Sequence, residues 1–181
     1  MKIELLILDI DGVLTDGTKV YDVHHNVLSK KFKCKDFTAI KRFIAAGVKV
    51  VMLSGDIFNK SMAKKRNIDF YCSRNDDLSL DKSRYVDVFS EKYNVKPDKM
   101  AFVGDDYFDL SIFNKLDCTF CPSDAPNIIK EESLYTLKSL GGNGVIVELY
   151  DMFINNGWLT DATEEEVADL DKKEITSEEI S

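Results

Sequence analysis

The sequence predicts an α/β fold with a mainly parallel, Rossmann-like central sheet, on three observations. Short apolar runs at Leu5–Leu8, Val48–Leu53 and Met100–Val103 read as strands buried on both faces. Segments with helical spacing of apolar residues follow them, which is the alternation that builds a sheet covered by helices. Each run also ends in polar residues: Asp9-Ile10-Asp11-Gly12, Ser54-Gly55-Asp56 and Gly104-Asp105-Asp106. In open sheets of this kind ligands bind beyond the carboxyl ends of the strands. The three polar clusters are therefore read as one site.

The elements follow in chain order. The first strand runs over Leu5–Asp9. Val20 and Tyr21, then Val27, Leu28 and Phe32, flank the polar turn Asp22–Asn26 and predict a β-hairpin over about 18–33. Asp36 is placed to cap a helix with Phe37, Ile40, Phe43 and Ile44 on its apolar face, ending at Gly47. Val48–Leu53 is the second buried strand, Lys60–Lys65 a short helix and Phe70-Tyr71-Cys72 a minor strand. Ser79 is placed to cap a helix carrying Tyr85, Val86 and Phe89, ended by the turn before Pro97. Met100–Val103 is the third strong strand, Tyr107–Asn114 is helical, and Cys118–Cys121 and Tyr135–Leu137 are short strands. Gly144 opens a last helix through Phe153. The expected organisation is a single domain over residues 1–159 and an acidic tail over 160–181.

Composition narrows the function. Hydrophobic residues at 44% and charged residues at 31% fit a soluble globular chain. No apolar run is long enough for a membrane span, and the strand pattern begins too early for a signal peptide, so the expected location is cytoplasmic. The net charge of −8 is concentrated in the tail, where nine acids stand against two lysines, leaving a nearly neutral body. No basic stripe with interleaved aromatics invites nucleic acid. Cys118-x-x-Cys121 lacks a second pair and reads as strand cysteines, and His24-His25 reads as a solvated turn. The tail reads as a solvated terminus; the alternative is a short helix, opened by the capping box Thr163-x-x-Glu166, that docks on a partner subunit.

The site chemistry comes from the clusters. Asp9 and Asp11 at the end of a buried strand are costly together unless a cation lies between them or one holds a proton. Carboxylates without histidine or cysteine favour Mg²⁺. A carboxylate beside Mg²⁺ can attack a phosphoryl group, and a hydroxyl (Ser54) and an ammonium (Lys82) can orient its oxygens. Taken singly, Ser54 would also suit a turn, Lys82 a solvated helix and Asp109 the positive end of a helix dipole; their common sheet edge favours the site.

Four motifs in order resemble the haloacid dehalogenase (HAD) superfamily of phosphatases: Asp9-x-Asp11-Gly12-Val13-Leu14-Thr15-Asp16, then Ser54, then Lys82, then Gly104-Asp105-Asp106-x-x-Asp109. The resemblance spans roughly residues 4–154. It implies Asp9 as nucleophile and Asp11 as general acid and base. Asp9, the Asp11 backbone carbonyl and Asp105 would ligate Mg²⁺, with Gly12, Gly55, Asp106 and Asp109 in support. Asp16 reads as shaping a turn. The spacings between motifs leave room for the hairpin flap but for no cap domain. Within the superfamily the chain is similar to the capless 3-deoxy-manno-octulosonate 8-phosphate phosphatases and their relatives acting on sialic-acid-type phosphates. Lys30-x-Phe32, Lys35-Asp36 and Gly141-Gly142-x-Gly144 with Glu148 carry that likeness. It implies a small phosphorylated sugar or sugar acid as substrate, and a homotetramer in which hairpins pack together and a neighbour covers each site. The hairpin's apolar residues point the same way, since a lone two-stranded ribbon cannot bury them.

Three positions depart from that pattern. Asp56 stands where these phosphatases commonly carry an arginine after the second-motif glycine, Val147 stands where another precedes the glutamate, and Asp36-Phe37 replaces Asp-Gly. The competing reading is a non-catalytic or regulatory subunit of a nucleotide-sugar (cytidylyltransferase) pathway. A receiver domain also joins acids, a hydroxyl and a lysine around Mg²⁺, but places its acceptor on a later strand.

Overall fold

The computed structural model describes residues 2–74 and 81–178. Six parallel strands form one sheet: β1 (Leu5–Leu8), β4 (Lys49–Ser54), β5 (Asp69–Cys72), β6 (Met100–Val103), β7 (Cys118–Cys121) and β8 (Tyr135–Thr136), ordered β5-β4-β1-β6-β7-β8. β2 (Val20–Tyr21) and β3 (Val27–Ser29) make a separate antiparallel hairpin. The helices are α1 (Cys34–Ala45), α2 (Lys60–Lys65), α3 (Arg84–Tyr93), α4 (Leu110–Phe113), α5 (Asn127–Glu132), α6 (Val145–Asn155) and α7 (Glu164–Glu178). No described helix is long and apolar enough to cross a membrane.

All four residues of β1 are fully buried because the strand lies between β4 and β6 and is covered on both faces. Its side chains alternate: Leu6 and Leu8 join the core under α1 and α6, and Leu5 and Ile7 join the core under α3 and α4. Removing each such side chain from water contributes about 1.5–3 kcal/mol. On the α1–α6 side, Phe43 meets Tyr150 and Phe153 edge to face, at centroid distances of 5.0 and 5.6 Å. Cys118 and Cys121 fall in opposite cores, so the pair cannot close on one metal ion.

Asp36 caps a different helix from the one expected. It lies inside the first turn of α1, buried, and its carboxylate accepts from the backbone N–H groups of Gly144, Ile146 and Val147. It therefore caps α6, where three amides without helical partners need an acceptor, while α1 starts at Lys33 without a side-chain cap. α5 was not expected: Asn127-Ile128-Ile129-Lys130-Glu131-Glu132 is too short to display a helical period. Ser79 lies outside the described residues. In the acidic segment the Thr163–Glu166 capping box forms, and α7 packs against α1 of its own chain through Lys41–Asp171, Lys41–Glu174 and Arg42–Glu164 ion pairs. The segment lies on α1, whose outer face offers these two cations, while Glu164 and Asp171 stay exposed to solvent.

Candidate active site

β1 sits where the chain changes direction across the sheet, with β4 on one side and β6 on the other, so Asp9, Ser54 and Asp105 reach one carboxyl-end crevice. A cavity of about 280 Å³ opens there, lined by Asp9, Asp11, Lys19, Ser54, Arg74, Lys82, Asp105 and Phe108 among others. A larger hollow, about 670 Å³, lies at the opposite strand ends around Lys2, Gly47, Tyr93 and Trp158 and holds none of these groups.

The turn after β1 is built for close approach. The Val13, Leu14 and Thr15 amides all donate to the Ile10 carbonyl, which brings Asp11 back beside Asp9. Gly12 has φ +89°, and a Cβ there would fall 1.9 Å from a carboxylate oxygen of Asp105, so only glycine lets the third-strand acid lie against the turn. The Gly142 amide, itself at φ +65°, donates to the Val13 carbonyl and packs the α6 loop onto the same turn. Asp16 accepts from the Thr18 amide, the turn-shaping role expected of it.

The inner part of the site is buried and acid-rich. Lys82 donates to Asp9 at 2.8 Å and to Asp109 at 2.6 Å. The other oxygen of Asp109 accepts from the Asp105 and Asp106 amides at 2.9 and 3.1 Å, so Asp109 acts as a bracket that positions Lys82 and the fourth-motif backbone. Asp106 turns outward to accept from Tyr107 N–H and starts the following helical turn. Burial is the main cause that pushes the Asp9 carboxyl up to about 7; Lys82 opposes it and Asp109 adds to it. Burial likewise lifts Asp105 to about 8, reinforced by the charges of Asp9, Asp109 and Asp106. Burial alone would lower Lys82, but the Asp109 and Asp9 charges outweigh it and hold the ammonium above its usual range.

This inner cluster fits a cation. Asp9, Asp105 and Asp109 bring carboxylate oxygens within 4.8 Å of one another, and Oδ1 of Asp105 is buried without a hydrogen-bond partner. An orphaned buried carboxylate oxygen is costly, and a divalent ion with oxygen preference would satisfy it. Asp109 already accepts three hydrogen bonds, so Asp9 and Asp105 are the carboxylates with capacity left.

The outer part is charge-balanced and comes from the hairpin. Lys30 follows β3, has a fully buried side chain, and donates to both oxygens of Asp11 at 2.7 Å, to Asp56 at 2.8 Å and to Asn59 at 3.1 Å. Lys19 donates to Asp56 at 2.7 Å and stands 3.8 Å from Asp11. Burial would raise Asp56, but the hydrogen bonds from Lys19 and Lys30 dominate and hold it well below the carboxylate range. Ser54 Oγ accepts from the Asp56 amide at 3.1 Å and from Asn59 Nδ2 at 3.2 Å. Both acceptor positions are used, which leaves the hydroxyl proton to donate to an oxygen ligand. Every site residue expected from sequence thus lies at this crevice. Lys19, Asn59 and Arg74 were not expected there, and Lys30 was noted only as part of a shared motif.

Comparison with known proteins places the chain among phosphatases. No protein-family profile matches the chain. The chain is 30% identical over 153 residues to the 3-deoxy-D-manno-octulosonate 8-phosphate phosphatase KdsC of Haemophilus influenzae, covering 84% of this chain and 83% of the relative. The cobalt-bound structure of the deoxy-D-mannose-octulosonate 8-phosphate phosphatase from Haemophilus influenzae is similar with a TM-score of 0.77 at 29% identity, over 85% of this chain and 88% of that one. A putative HAD superfamily (subfamily III A) hydrolase from Legionella pneumophila has a TM-score of 0.77 at 27% identity, over 94% and 90%. A capless parallel sheet with this crevice, and these likenesses, define a sugar-phosphate phosphatase of the HAD type. Within that class, identity and coverage go further: the chain belongs to the 3-deoxy-D-manno-octulosonate 8-phosphate phosphatase (KdsC) family.

Proposed function

We propose that the chain is a Mg²⁺-dependent phosphomonoesterase for a small phosphorylated sugar or sugar acid, working through an aspartyl-phosphate on Asp9. The observation that carries this reading is the inner cluster: a carboxylate at a strand end, fixed by Lys82, beside an unsatisfied Asp105. Asp9 and Asp105, with the Asp11 carbonyl, would hold the metal ion, which when bound neutralises phosphoryl charge and keeps Asp9 ionised. The oxygen-only donor set favours magnesium, and the cobalt-bound relative is consistent with a divalent ion.

The residues then divide the work. An oxygen of Asp9 forms a bond to phosphorus as the bond to the leaving oxygen breaks, and Asp11 gives that oxygen its proton. In the second half Asp11 takes a proton from water, the water oxygen bonds to phosphorus, and the Asp9–phosphorus bond breaks to release phosphate. Ser54 O–H and Lys82 hold the phosphoryl oxygens through both halves. Lys30 and Asn59 orient the Asp11 carboxyl, and Asp106 and Asp109 set the loop. Turnover of p-nitrophenyl phosphate with and without Mg²⁺ tests the reading, and a screen of phosphorylated sugars and sugar acids then ranks substrates. No turnover under either condition would sink it.

Residues 1–159 are proposed as the catalytic domain, with 160–181 appended to it. The assembly proposed is a homotetramer. Val20, Tyr21, Val23 and Leu28 of the hairpin are 49, 48, 92 and 60% exposed, an apolar ribbon that a closed ring of hairpins would cover. Sedimentation at micromolar concentration should give four subunits, and Val20→Asp should give fewer; a fully active monomer would refute it. The four free thiols fit a reducing cytoplasm.

A further inference from the structure

The turn that carries Asp11 rests on a loop that does not itself line the cavity. Gly141 and Gly142 lie against this turn, backbone to backbone. A Cβ on Gly141 would fall 2.2 Å from the Gly12 carbonyl oxygen, and one on Gly142 would fall 2.5 Å from the Asp16 amide nitrogen. The Gly142 amide donates to the Val13 carbonyl at 2.9 Å. Two glycines bring no side chains to hold their place, so the position of the loop depends on what anchors its ends. At one end the Gly141 amide donates to the exposed Asp124 at 2.9 Å. At the other end stands Asp36, which accepts from the amides of Gly144 at 3.2 Å, Ile146 at 2.8 Å and Val147 at 3.2 Å.

A serine or asparagine at the start of α6 would cap that helix without burying a charge. Gly144 occupies that place at φ +95° and offers no side chain. The cap comes instead from a carboxylate that is 1% exposed and lies 108 positions earlier in the chain. What this adds is a tie between α1 and the glycine loop. Lys33, three residues before Asp36, makes a second tie by donating to Asn143 of the loop. Lys30, just before α1, grips both oxygens of the Asp11 carboxylate. The two supports of Asp11, Lys30 on its side chain and the glycine loop against its turn, therefore meet at the start of α1. Resting on the phosphatase reading above, we infer that Asp36 is a positioning residue for Asp11: it holds the glycine loop against the Asp11-Gly12 turn and so keeps the acid aimed at the leaving oxygen.

Asp36→Asn separates this role from helix capping. One carboxylate oxygen serves Ile146 and Val147, and the asparagine carbonyl can replace it; the asparagine NH₂ then faces the Gly144 N–H, donor to donor, and frees that end of the loop. The variant is compared with unaltered enzyme, Asp11→Asn and the double variant, on the best sugar phosphate of the substrate screen and on p-nitrophenyl phosphate, at saturating Mg²⁺. For Asp36→Asn, kcat on the sugar phosphate should fall roughly 10- to 100-fold, the cost of misplacing a reacting group by about 1 Å. The aryl ester should lose at least about fivefold less, with KM for both esters within about threefold of the unaltered value. In the Asp11→Asn background the same substitution should change kcat by less than about threefold, since the residue it positions is already disabled. Amide hydrogen exchange should quicken at Gly142 and Gly144 while the melting temperature stays within a few degrees. Gly142→Ala, strained at φ +65° and pressed on the turn, should push the loop away with Asp36 in place and give the same selective loss on the sugar phosphate. Equal losses on both esters, additive losses in the double variant, or quickened exchange with undiminished turnover would overturn the inference. So would unchanged kinetics beside a lowered melting temperature, the signature of a helix cap alone. No turnover of any ester by the unaltered enzyme would instead strike the phosphatase reading and reduce Asp36 to a tether of the loop.

Discussion

The two halves of the crevice handle charge in opposite ways. The inner half, Asp9, Asp105, Asp109 and Lys82, hangs from the sheet strands and the loops after them, is buried, and holds more acid than base. The outer half, Asp11, Asp56, Lys19 and Lys30, is closed by the hairpin and pairs two carboxylates with two ammonium groups. An imbalance kept in a low-dielectric place has to be met by a proton or a ligand, whereas a balanced network is complete in itself. On the proposed function, the inner half is therefore where the chemistry and the metal ion would reside. The outer half is balanced by its own partners, and through Lys30 it holds the Asp11 carboxylate in place.

Breaking the inner half should cost most. Asp9→Asn should abolish turnover of every ester, because an amide cannot form the acyl-phosphate, while the melting temperature stays within a few degrees; residual activity above background would show that the nucleophile lies elsewhere. Asp11→Asn, at the boundary between the halves, should slow alkyl esters by roughly 10²–10⁴-fold. Aryl esters, whose leaving group hardly needs a proton, should lose less; equal losses would remove the acid role. Lys82→Met leaves Asp9 and Asp109 buried without their cation, and should destabilise the metal-free protein by about 3–5 kcal/mol in denaturant unfolding. Lys64→Met or Lys65→Met, both on α2, should cost neither activity nor stability. If they did and Lys82→Met did not, the phosphate-orienting lysine would have been misassigned.

The smallest and most diagnostic effect is on pH. Asp9 and Asp105 titrate at about 7 and about 8 in the metal-free protein, above the ordinary carboxylate value. The native state then binds protons that the unfolded state has released. Their contribution to stability is complete below about pH 4 and is lost as pH rises through 7 to 8. The melting temperature of metal-free protein should fall between pH 5 and pH 8.5, Asp105→Asn should flatten that slope, and Mg²⁺ should bind more tightly as pH rises because it displaces those protons. A slope unaffected by Asp105→Asn would show that the inner carboxylates are not strained.

Legibility followed the same division. Apolar runs gave Met100–Val103 and Cys118–Cys121 to the residue, and α2 as well, because burial and short loops leave such segments little freedom. The inner site was legible because its acids directly follow strands whose neighbours the topology dictates. The outer site was not: Lys19 and Lys30 look like surface hairpin lysines until the ribbon folds over the sheet edge, and Arg74 carries no local signal. Asp36 misled for a related reason, since a capping residue announces only that some helix start is near, and here that start is at Gly144.

The position of β1 also governs how the molecule comes to exist. It is made first, yet its two sheet neighbours are β4, which begins at Lys49, and β6, which ends at Val103. Parallel pairing over such separations closes long loops before any contact rewards them, so assembly is slow relative to local structure. During synthesis β4 becomes available to β1 first, and Asp9 and Asp11, which follow β1, meet Asp105 only after β6 is made. The proposed metal pocket would therefore be a late product of folding, and an ion bound there would lock the finished sheet rather than seed it.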